Sequence, residues 1–258
     1  MRADKYFADT FGSRTKSAEA IEKGLVLVNG KIIRPKDEIH ENDQITFITT
    51  QQQFVSNGGY KLQRAFDVFE IDCQNKVFVD IGASTGGFTD CLLQHGVAKV
   101  YAVDVGESLM HSDLLKSGKI VQMENTNARY LEKADFSDAI DGVVVDVSFI
   151  SLRLIFPAIR RILKDNGDVF VLVKPQFECE NKNISKNGIV RPSAHPQIVE
   201  KVLSYALENT LYPFGLTNAP IKKGKNIEYI LHCKPTYENA KSSAQIMTQL
   251  QTFLRSNK

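Results

Sequence analysis

The sequence predicts an α/β fold: a Rossmann-like seven-stranded sheet with helices on both faces, preceded by a small α+β domain. Three observations carry that expectation. Val77 to Gly106 reads as a buried strand, a glycine turn, a helix start and an acid-tipped second strand, the order of a nucleoside-binding βαβ unit. Apolar, β-branched runs recur at 119–123, 142–147, 169–173, 212–220 and 226–233, with stretches of helical period among them. The first fifty residues lack this rhythm and show two short helices and an Asn29-Gly30 hairpin instead.

The bulk properties are those of an ordinary globular chain. Its 258 residues allow one large domain, or a standard domain plus a small one. Apolar residues make up 43% and charged residues 24%, and the net charge of +2 provides no chain-wide basic field, so any nucleic-acid surface must be local. Cys73, Cys91, Cys179 and Cys233 are far apart and form no C-x-x-C pair. They read as reduced core thiols, and no metal site is expected. With no apolar signal segment at the start and no run of 18 apolar residues, a cytoplasmic protein without membrane spans is expected.

Within residues 1–50, Lys5 to Phe11 predicts one helix, and Ser17 opens a second with Ala18, Ala20 and Ile21 on its apolar side before Gly24. Leu25–Val28 and Lys31–Ile33 flank the Asn29-Gly30 turn, and Gln44–Ile48 predicts a last strand. The polar residues 51–53 read as a linker, leaving 54–258 for the second domain. Leu62, Ala65, Phe66 and Phe69 then recur at helical spacing, with Lys61 in the first turn. A helix N-terminus is a poor place to stabilise a cation, so Lys61 must find another partner or face water.

The glycine loop is the most informative stretch. Gly82-Ala83-Ser84-Thr85-Gly86-Gly87 lacks the second glycine of the dinucleotide fingerprint, and Asp80 stands just ahead of it. A carboxylate there would repel a pyrophosphate but suits the ammonium of a methionine moiety, which favours S-adenosylmethionine (SAM) over a nicotinamide cofactor. A glycine turn that binds nothing is the bland alternative. Asp104, 22 positions after Gly82, supplies the acid at the tip of the second strand.

Asn127, beyond the third strand, is placed to read an adenine edge. Asp146 lies near the carboxyl end of the fourth strand and Lys174 follows the fifth, with Leu152–Leu163 between them predicting a helix that stops near Asn166-Gly167. Ligands of open α/β sheets sit outside the carboxyl ends of the strands, so Asp80, Asp104, Asn127, Asp146 and Lys174 are expected on one rim. Glu178–Arg191 predicts a mobile loop over the site, and Pro192–Glu208 a helix. Lys222, Lys223 and Lys225 form the most basic turn, a natural contact for a nucleic-acid backbone, and lead to Glu228 in an otherwise apolar strand. A final helix presents Ile246, Met247, Leu250, Phe253 and Leu254 on one face.

Two resemblances sharpen this reading. SRTKSAEAIEKGLVLVNGK resembles the S4 domain, an RNA-binding fold, and implies that Arg14, Lys16 and Lys23 face RNA, although residues 1–50 balance eight Lys or Arg with eight Asp or Glu. The remainder resembles the FtsJ-like methyltransferases. Through VSNGGYKL, DIGASTGGFTD, ENTNAR, VVVDVSFISL, LVKPQFE and GKNIEYIL, the whole chain to about Lys234 resembles the TlyA (haemolysin A) family of ribosomal RNA ribose methyltransferases. Asn57, where arginine is common, and the helix after Lys234 depart from the pattern.

The resemblance implies a SAM-dependent methyltransferase sheet, SAM bound by Asp80, Gly82, Ala83, Ser84, Gly86, Gly87, Asp104 and Asn127, and a Lys61-Asp146-Lys174-Glu228 tetrad for transfer to a cytidine 2′-oxygen of ribosomal RNA rather than DNA. Chemistry agrees: a hydroxyl is a weak nucleophile, and a lysine must lose its proton to serve as base. Two lysines in one site are expected to lower each other's affinity for protons, with Asp146 and Glu228 holding the cation. Lys174 is assigned as base or oxygen-orienting group with Asp146 as its partner; Lys61 and Glu228 position substrate and balance charge. A pore-forming haemolysin and a non-catalytic ribosome assembly factor are the competing functions.

Overall fold

In a computed structural model, residues 1–22, 24–47, 54–222 and 224–256 are described, so Lys23, Lys223 and the expected linker 51–53 lie outside them. The chain divides into two units, Met1–Gln53 and Phe54–Lys258.

The first unit contains α1 (Ala3–Tyr6), α2 (Ala8–Phe11), α3 (Arg14–Glu22), β1 (Val26–Val28), β2 (Lys31–Ile32) and β3 (Ile45–Phe47), with the strands ordered β2-β1-β3. Ala3, Phe7, Ile21, Val26, Val28 and Ile39 form its core. The single helix expected over Lys5–Phe11 is broken at Phe7, whose side chain is buried in that core and whose backbone leaves helical geometry. The helix expected from Ser17 begins at Arg14, because the Ser13 hydroxyl accepts from Lys16 N at its start. Asn29 and Gly30 both have positive φ, 53° and 76°, as the two-residue hairpin joining Val28 to Lys31 requires.

The second unit runs α4 (Asn57–Phe69), β4 (Val77–Ile81), α5 (Gly87–Gln94), β5 (Lys99–Val103), α6 (Ser112–Leu115), β6 (Ile120–Met123), β7 (Ile140–Val145), α7 (Phe156–Ile162), β8 (Leu163–Val173), α8 (Pro175–Glu178), α9 (His195–Glu208), β9 (Tyr212–Asn218), β10 (Tyr229–Lys234) and α10 (Ser243–Ser256). The seven strands lie in the order β6-β5-β4-β7-β8-β10-β9. The pairs from β6 to β8 are parallel, and β10 runs antiparallel to both neighbours. The chain moves outward from β4 in both directions, so the topological switch lies between β4 and β7, the expected place for a ligand crevice.

Because side chains alternate across a strand, each strand feeds two cores. Val79, Ile81, Val143 and Val145 face a cluster that includes residues of α7, α9 and α10. Phe78, Val144, Phe170 and Ile230 face the other side, with Leu62, Ala65 and Phe66 of α4 and Phe88, Cys91 and Leu92 of α5. Val/Ile runs buried on both faces suit a parallel sheet covered by helices. All four cysteines are free thiols; burial is the main cause raising Cys73 to about 12.

Several boundaries differ from the sequence reading. Leu152–Leu163 is a 3-10 turn (Leu152–Leu154) followed by α7, and Leu163 already opens β8. Asn166-Gly167 is an irregularity within that strand rather than a helix stop: the register shifts there, and a Cβ on Gly167 would lie 2.9 Å from Asp141 O. Pro192–Ala194 is a 3-10 turn before α9. The strand expected from Asn226 starts at Tyr229, which leaves Glu228 just before it. The segment Glu178–Arg191, expected as a loop without period, carries a 3-10 turn and an Ile184–Val190 bridge around Asn187-Gly188, a second N-G turn that the sequence reading passed over. Asn226 ties this hairpin down, accepting from Val190 N at 2.8 Å and donating to Gly188 O at 2.9 Å.

Candidate active site

The glycine loop leaves β4 at Ile81, directly beside the end of β7: Asp146 N donates to Ile81 O at 3.0 Å. Gly82 has φ +83°, and a Cβ there would lie 2.8 Å from Asp146 O, so glycine lets the two strand ends run side by side. Gly87 serves a different approach. A Cβ would collide with Ser56 Oγ and lie 2.9 Å from Gly58 Cα, so its absence admits the N-terminus of α4 against α5. A Cβ on Gly86 would run into Met110 and Leu114. Neighbouring chain thus packs against the missing Cβ positions of Gly86 and Gly87, while Gly87 still borders the smaller of the cavities described next.

Two cavities meet along Gly82, Ser84, Asp146 and Ser148. The larger, of about 760 Å³, has apolar walls including Val103, Val105, Ile150 and Ile155, with Asp104 and Asn127 also on its lining. That is the scale and character of a site for a nucleoside-sized ligand. The smaller, of about 190 Å³, is bounded by Ser56, Ala83, Thr85, Gly87 and Lys174 and is mainly polar. Asp104 Oδ2 accepts from Ser84 N at 2.8 Å and Oδ1 from Gly106 N at 2.9 Å, so this carboxylate first of all braces two loops. Each oxygen retains further lone-pair capacity for a ligand. Asn127 Oδ1 is turned to Arg129 N and Nε, both at 3.2 Å, capping a short 3-10 turn.

Asp80 is fully buried on the α5 side of the sheet and belongs to neither cavity lining. Its Oδ2 accepts from Thr89 Oγ1 at 2.6 Å, and its Oδ1 has no partner. Burial pushes the carboxyl up to about 7; the Thr89 hydrogen bond opposes that, and Asp146 and Asp104 add to it. An orphaned acid oxygen under the loop, with Asp104 and Asp146 nearby in charge terms, fits a cationic ligand better than a phosphate. A polar recess joined to a nucleoside-sized apolar cavity fits the two ends of SAM.

The four expected catalytic residues form one continuous chain of charges. Lys61, carried by the first turn of α4, places Nζ 2.8 Å from Glu228 Oε2 and 3.5 Å from Asp146 Oδ2. Lys174 places Nζ 2.5 Å from Asp146 Oδ1 and donates to Ser148 Oγ at 2.9 Å. All four side chains are about one-fifth exposed or less. Two cations and two anions balance, which such enclosure demands. Burial works to lower the Lys61 pKa, but Asp146 and Glu228 outweigh it and raise it above the ordinary lysine value. The expected mutual lowering of the lysines therefore does not apply to Lys61, which is held as a cation.

Sequence reasoning missed several neighbours of this chain. Ser148 receives Lys174, and Ser56 caps α4 by accepting from Gly58 N. Phe149 lines the larger cavity yet is 91% exposed, with φ +62° and its ring 5.0 Å from that of Phe177. An aromatic residue three positions after the acid at a strand end was the available signal. Of the basic residues, Arg14 reaches back to Asp4 Oδ2 at 3.0 Å and Lys16 is exposed on α3. Arg2, then Arg14, hold the Asp4 carboxyl below its usual range. Lys222 and Lys225 are exposed in the segment leading to β10. Among the described residues there is no His/Cys/Asp/Glu cluster suited to a metal, and no helix is long and apolar enough to cross a membrane.

The family model for FtsJ-like methyltransferases matches residues 54–235, and that for the S4 domain residues 1–45. The chain belongs to the FtsJ-like methyltransferase family. Within it, this S4-bearing methyltransferase falls among TlyA relatives. It is 34% identical to a 16S/23S rRNA (cytidine-2′-O)-methyltransferase TlyA of Mycobacterium tuberculosis, over 90% of this chain and 88% of that one. It is 40% identical to a Hemolysin A of Brachyspira hyodysenteriae, over 90% and 99%. A solved candidate hemolysin of Streptococcus thermophilus superposes with a TM-score of 0.73 at 36% identity, covering 100% of this chain and 98% of that one. SAM-dependent methyltransferases of far lower identity share its sheet at a TM-score of 0.51, a likeness of fold alone. Helix α10 lies beyond the FtsJ-like match.

Proposed function

We propose that this FtsJ-like protein transfers the methyl group of SAM to the 2′-oxygen of a cytidine in ribosomal RNA. The observation that carries the reading is the unbroken Glu228–Lys61–Asp146–Lys174 ion-pair chain bordering the junction of the two cavities. Bound SAM supplies an electrophilic sulfonium methyl. Asp80, Gly82, Ala83, Ser84, Gly86, Gly87, Asp104 and Asn127 would hold it: backbone and polar groups of the loop would receive the amino-acid end, with Asp80 acting from beneath the loop, and the apolar walls would receive the adenosine.

At the acceptor side, Lys174 Nζ, paired with Asp146, would orient the 2′-oxygen for attack or, after giving up a proton of its own, would take the hydroxyl proton as the oxygen attacks, with Asp146 restoring the ion pair. Lys61, kept cationic by Asp146 and Glu228, holds Asp146 in place and balances the charge of the RNA backbone. The exposed Phe149 ring offers a stacking face for a base swung out of its helix. Residues 1–50 act as the S4-like RNA-binding domain through Arg14, Lys16 and Lys23, with 54–258 as the catalytic domain and Lys222, Lys223 and Lys225 adding phosphate contacts. The protein works in the cytoplasm on ribosomal subunits, without DNA or membrane as partner.

The test is incubation with labelled SAM and ribosomal subunits lacking the modification, beside Lys61→Ala and Asp146→Ala variants. Label at a ribose 2′-oxygen with wild type and not with the variants is the expected result. RNA binding without transfer would replace the reading by an assembly factor. Lysis of liposomes by the purified protein would favour the activity that the Brachyspira relative's name describes.

A further inference from the structure

Glu178 is buried, 4% exposed, and takes no part in the chemistry above. It ends α8, four residues after Lys174, and its carboxylate reaches across to the loop that follows Asp146. Oε2 accepts from Ser151 Oγ and Oε1 from Leu152 N, each at 2.7 Å. Leu152 N is an otherwise unsatisfied donor at the start of a 3-10 turn, where a carboxylate is well placed. Ser151 Oγ in turn accepts from Arg153 N, so its own proton is directed to Glu178. On the other side, Lys201 of α9 donates to Glu178 O at 3.1 Å and holds the end of α8.

The consequence lies in where these bonds fall. The peptide Asp146–Leu152 contains a strained residue, Phe149, and no regular secondary structure until its last residue. It faces Lys174–Glu178, and the two segments are joined at both ends: Lys174 to Asp146 and Ser148, and Glu178 to Ser151 and Leu152. A carboxylate suits the far end because two donors converge there and it offers two acceptor oxygens. An amide offers one. Loss of the far tie would leave no hydrogen bond from α8 to the end of this segment, which would then be held there by the burial of Leu152 and Ile150 alone.

We infer that Glu178 is a positioning residue for methyl transfer, splinting the Asp146–Leu152 loop so that Asp146 and Ser148 stay in register with Lys174. This rests on the transfer reaction proposed above. The residue touches no reacting atom, and its effect reaches the site through Ser151 and Leu152.

The experiment uses the full chain with Glu178→Ala, Glu178→Gln, Ser151→Ala and the Glu178→Ala/Ser151→Ala pair. Single-turnover transfer at saturating SAM and ribosomal RNA separates a slower site, which lowers the rate constant, from a smaller folded fraction, which lowers only the amplitude. Glu178→Ala is expected to lower the rate constant roughly 10- to 100-fold, as sub-ångström to ångström misplacement does. Glu178→Gln should fall between it and wild type, and Ser151→Ala should cause no further slowing in the Glu178→Ala background. Amide hydrogen exchange is followed in parallel. It should rise over 147–152 and stay unchanged over 57–69. An unchanged rate constant with only reduced amplitude, additive effects of the two substitutions, or unchanged exchange over 147–152 would overturn the inference. If Glu178→Ala fails to fold, Glu178→Gln carries both measurements. The exchange measurement needs no RNA, so a wild-type protein inactive on ribosomal RNA would sink the proposed acceptor while the splint is still judged on its own.

Discussion

Lys61 Nζ lies 2.8 Å from Glu228 Oε2, joining a residue that precedes the first strand of the large sheet to one that precedes its last strand in sequence. Without Glu228, Lys61 keeps only Asp146, at 3.5 Å, and would compete with Lys174 for that carboxylate. Glu228→Gln should therefore slow transfer by roughly 100-fold, the scale of a lost electrostatic or positioning group. Glu228 lines neither cavity, so SAM affinity should change by less than about twofold, less than the loss of a typical hydrogen bond would cost. Single-turnover kinetics and calorimetric titration with SAM measure the two effects separately.

The charge state of Lys61 has a sign that denaturation can read. Its folded pKa is raised above the ordinary 10.5, so its ion pairs contribute stability that is fully present below that value and is lost as pH climbs through the folded pKa. Urea unfolding of wild type and Lys61→Met should show a constant difference from pH 7 to 9 and a shrinking one above about 10.5, the unfolded lysine value. A difference that shrinks near neutrality would contradict the assignment.

Asp80 should behave in the opposite way from a paired carboxylate. With a folded value of about 7 against an ordinary 3.8, the native state binds more protons than the unfolded state between those limits. Stability of the ligand-free protein should fall as pH rises through that window, and Asp80→Asn should remove the fall. A cationic ligand favours the ionised acid, so wild type should bind SAM more tightly at pH 8 than at pH 6, and Asp80→Asn should lose that dependence. Calorimetry at the two pH values decides it.

Gly87→Ala tests how α4 is seated. The added methyl would strike Ser56 Oγ and crowd Gly58, at the end of the helix that carries Lys61. Overpacking of this kind costs about 1–3 kcal/mol. The stability loss should be accompanied by slower transfer in the fraction that remains folded, as read by thermal melts and single-turnover rates together.

Phe149→Ala should separate substrate binding from stability. A residue 91% exposed buries little, so the melting midpoint should barely move, a surface change of about 0.5 kcal/mol or less. Loss of a stacking face should weaken productive RNA binding by about 1–3 kcal/mol. An unchanged KM for RNA would remove Phe149 from the acceptor site.

The sheet was legible because its β-branched runs are long and buried on both faces, and the N-G turn at Asn29-Gly30 announced its hairpin directly. Boundaries failed where tertiary packing overrode local signals: Phe7 turns into its core and splits a helix, and Asn166-Gly167 lies within a strand instead of stopping a helix. Strand-end residues such as Asp146 and Lys174 follow from topology. Lys61 and Glu228 do not, since only the resemblance to a known tetrad singled them out before their contacts were seen. Glu178 was harder still, because a carboxylate that holds two backbone segments leaves no pattern of spacing.

The reversed direction of β10 has a consequence for how the protein comes into being. Because that strand runs against its neighbours, its beginning, with Glu228 just before it, arrives at the rim where the parallel strands end. A ribosome making this chain supplies every residue that lines the two cavities before it reaches Glu228, and up to that point the acceptor side has two lysines against one aspartate. Charge neutrality at the acceptor side therefore waits on the segment that leads into β10, although every residue lining the two cavities precedes it in the chain.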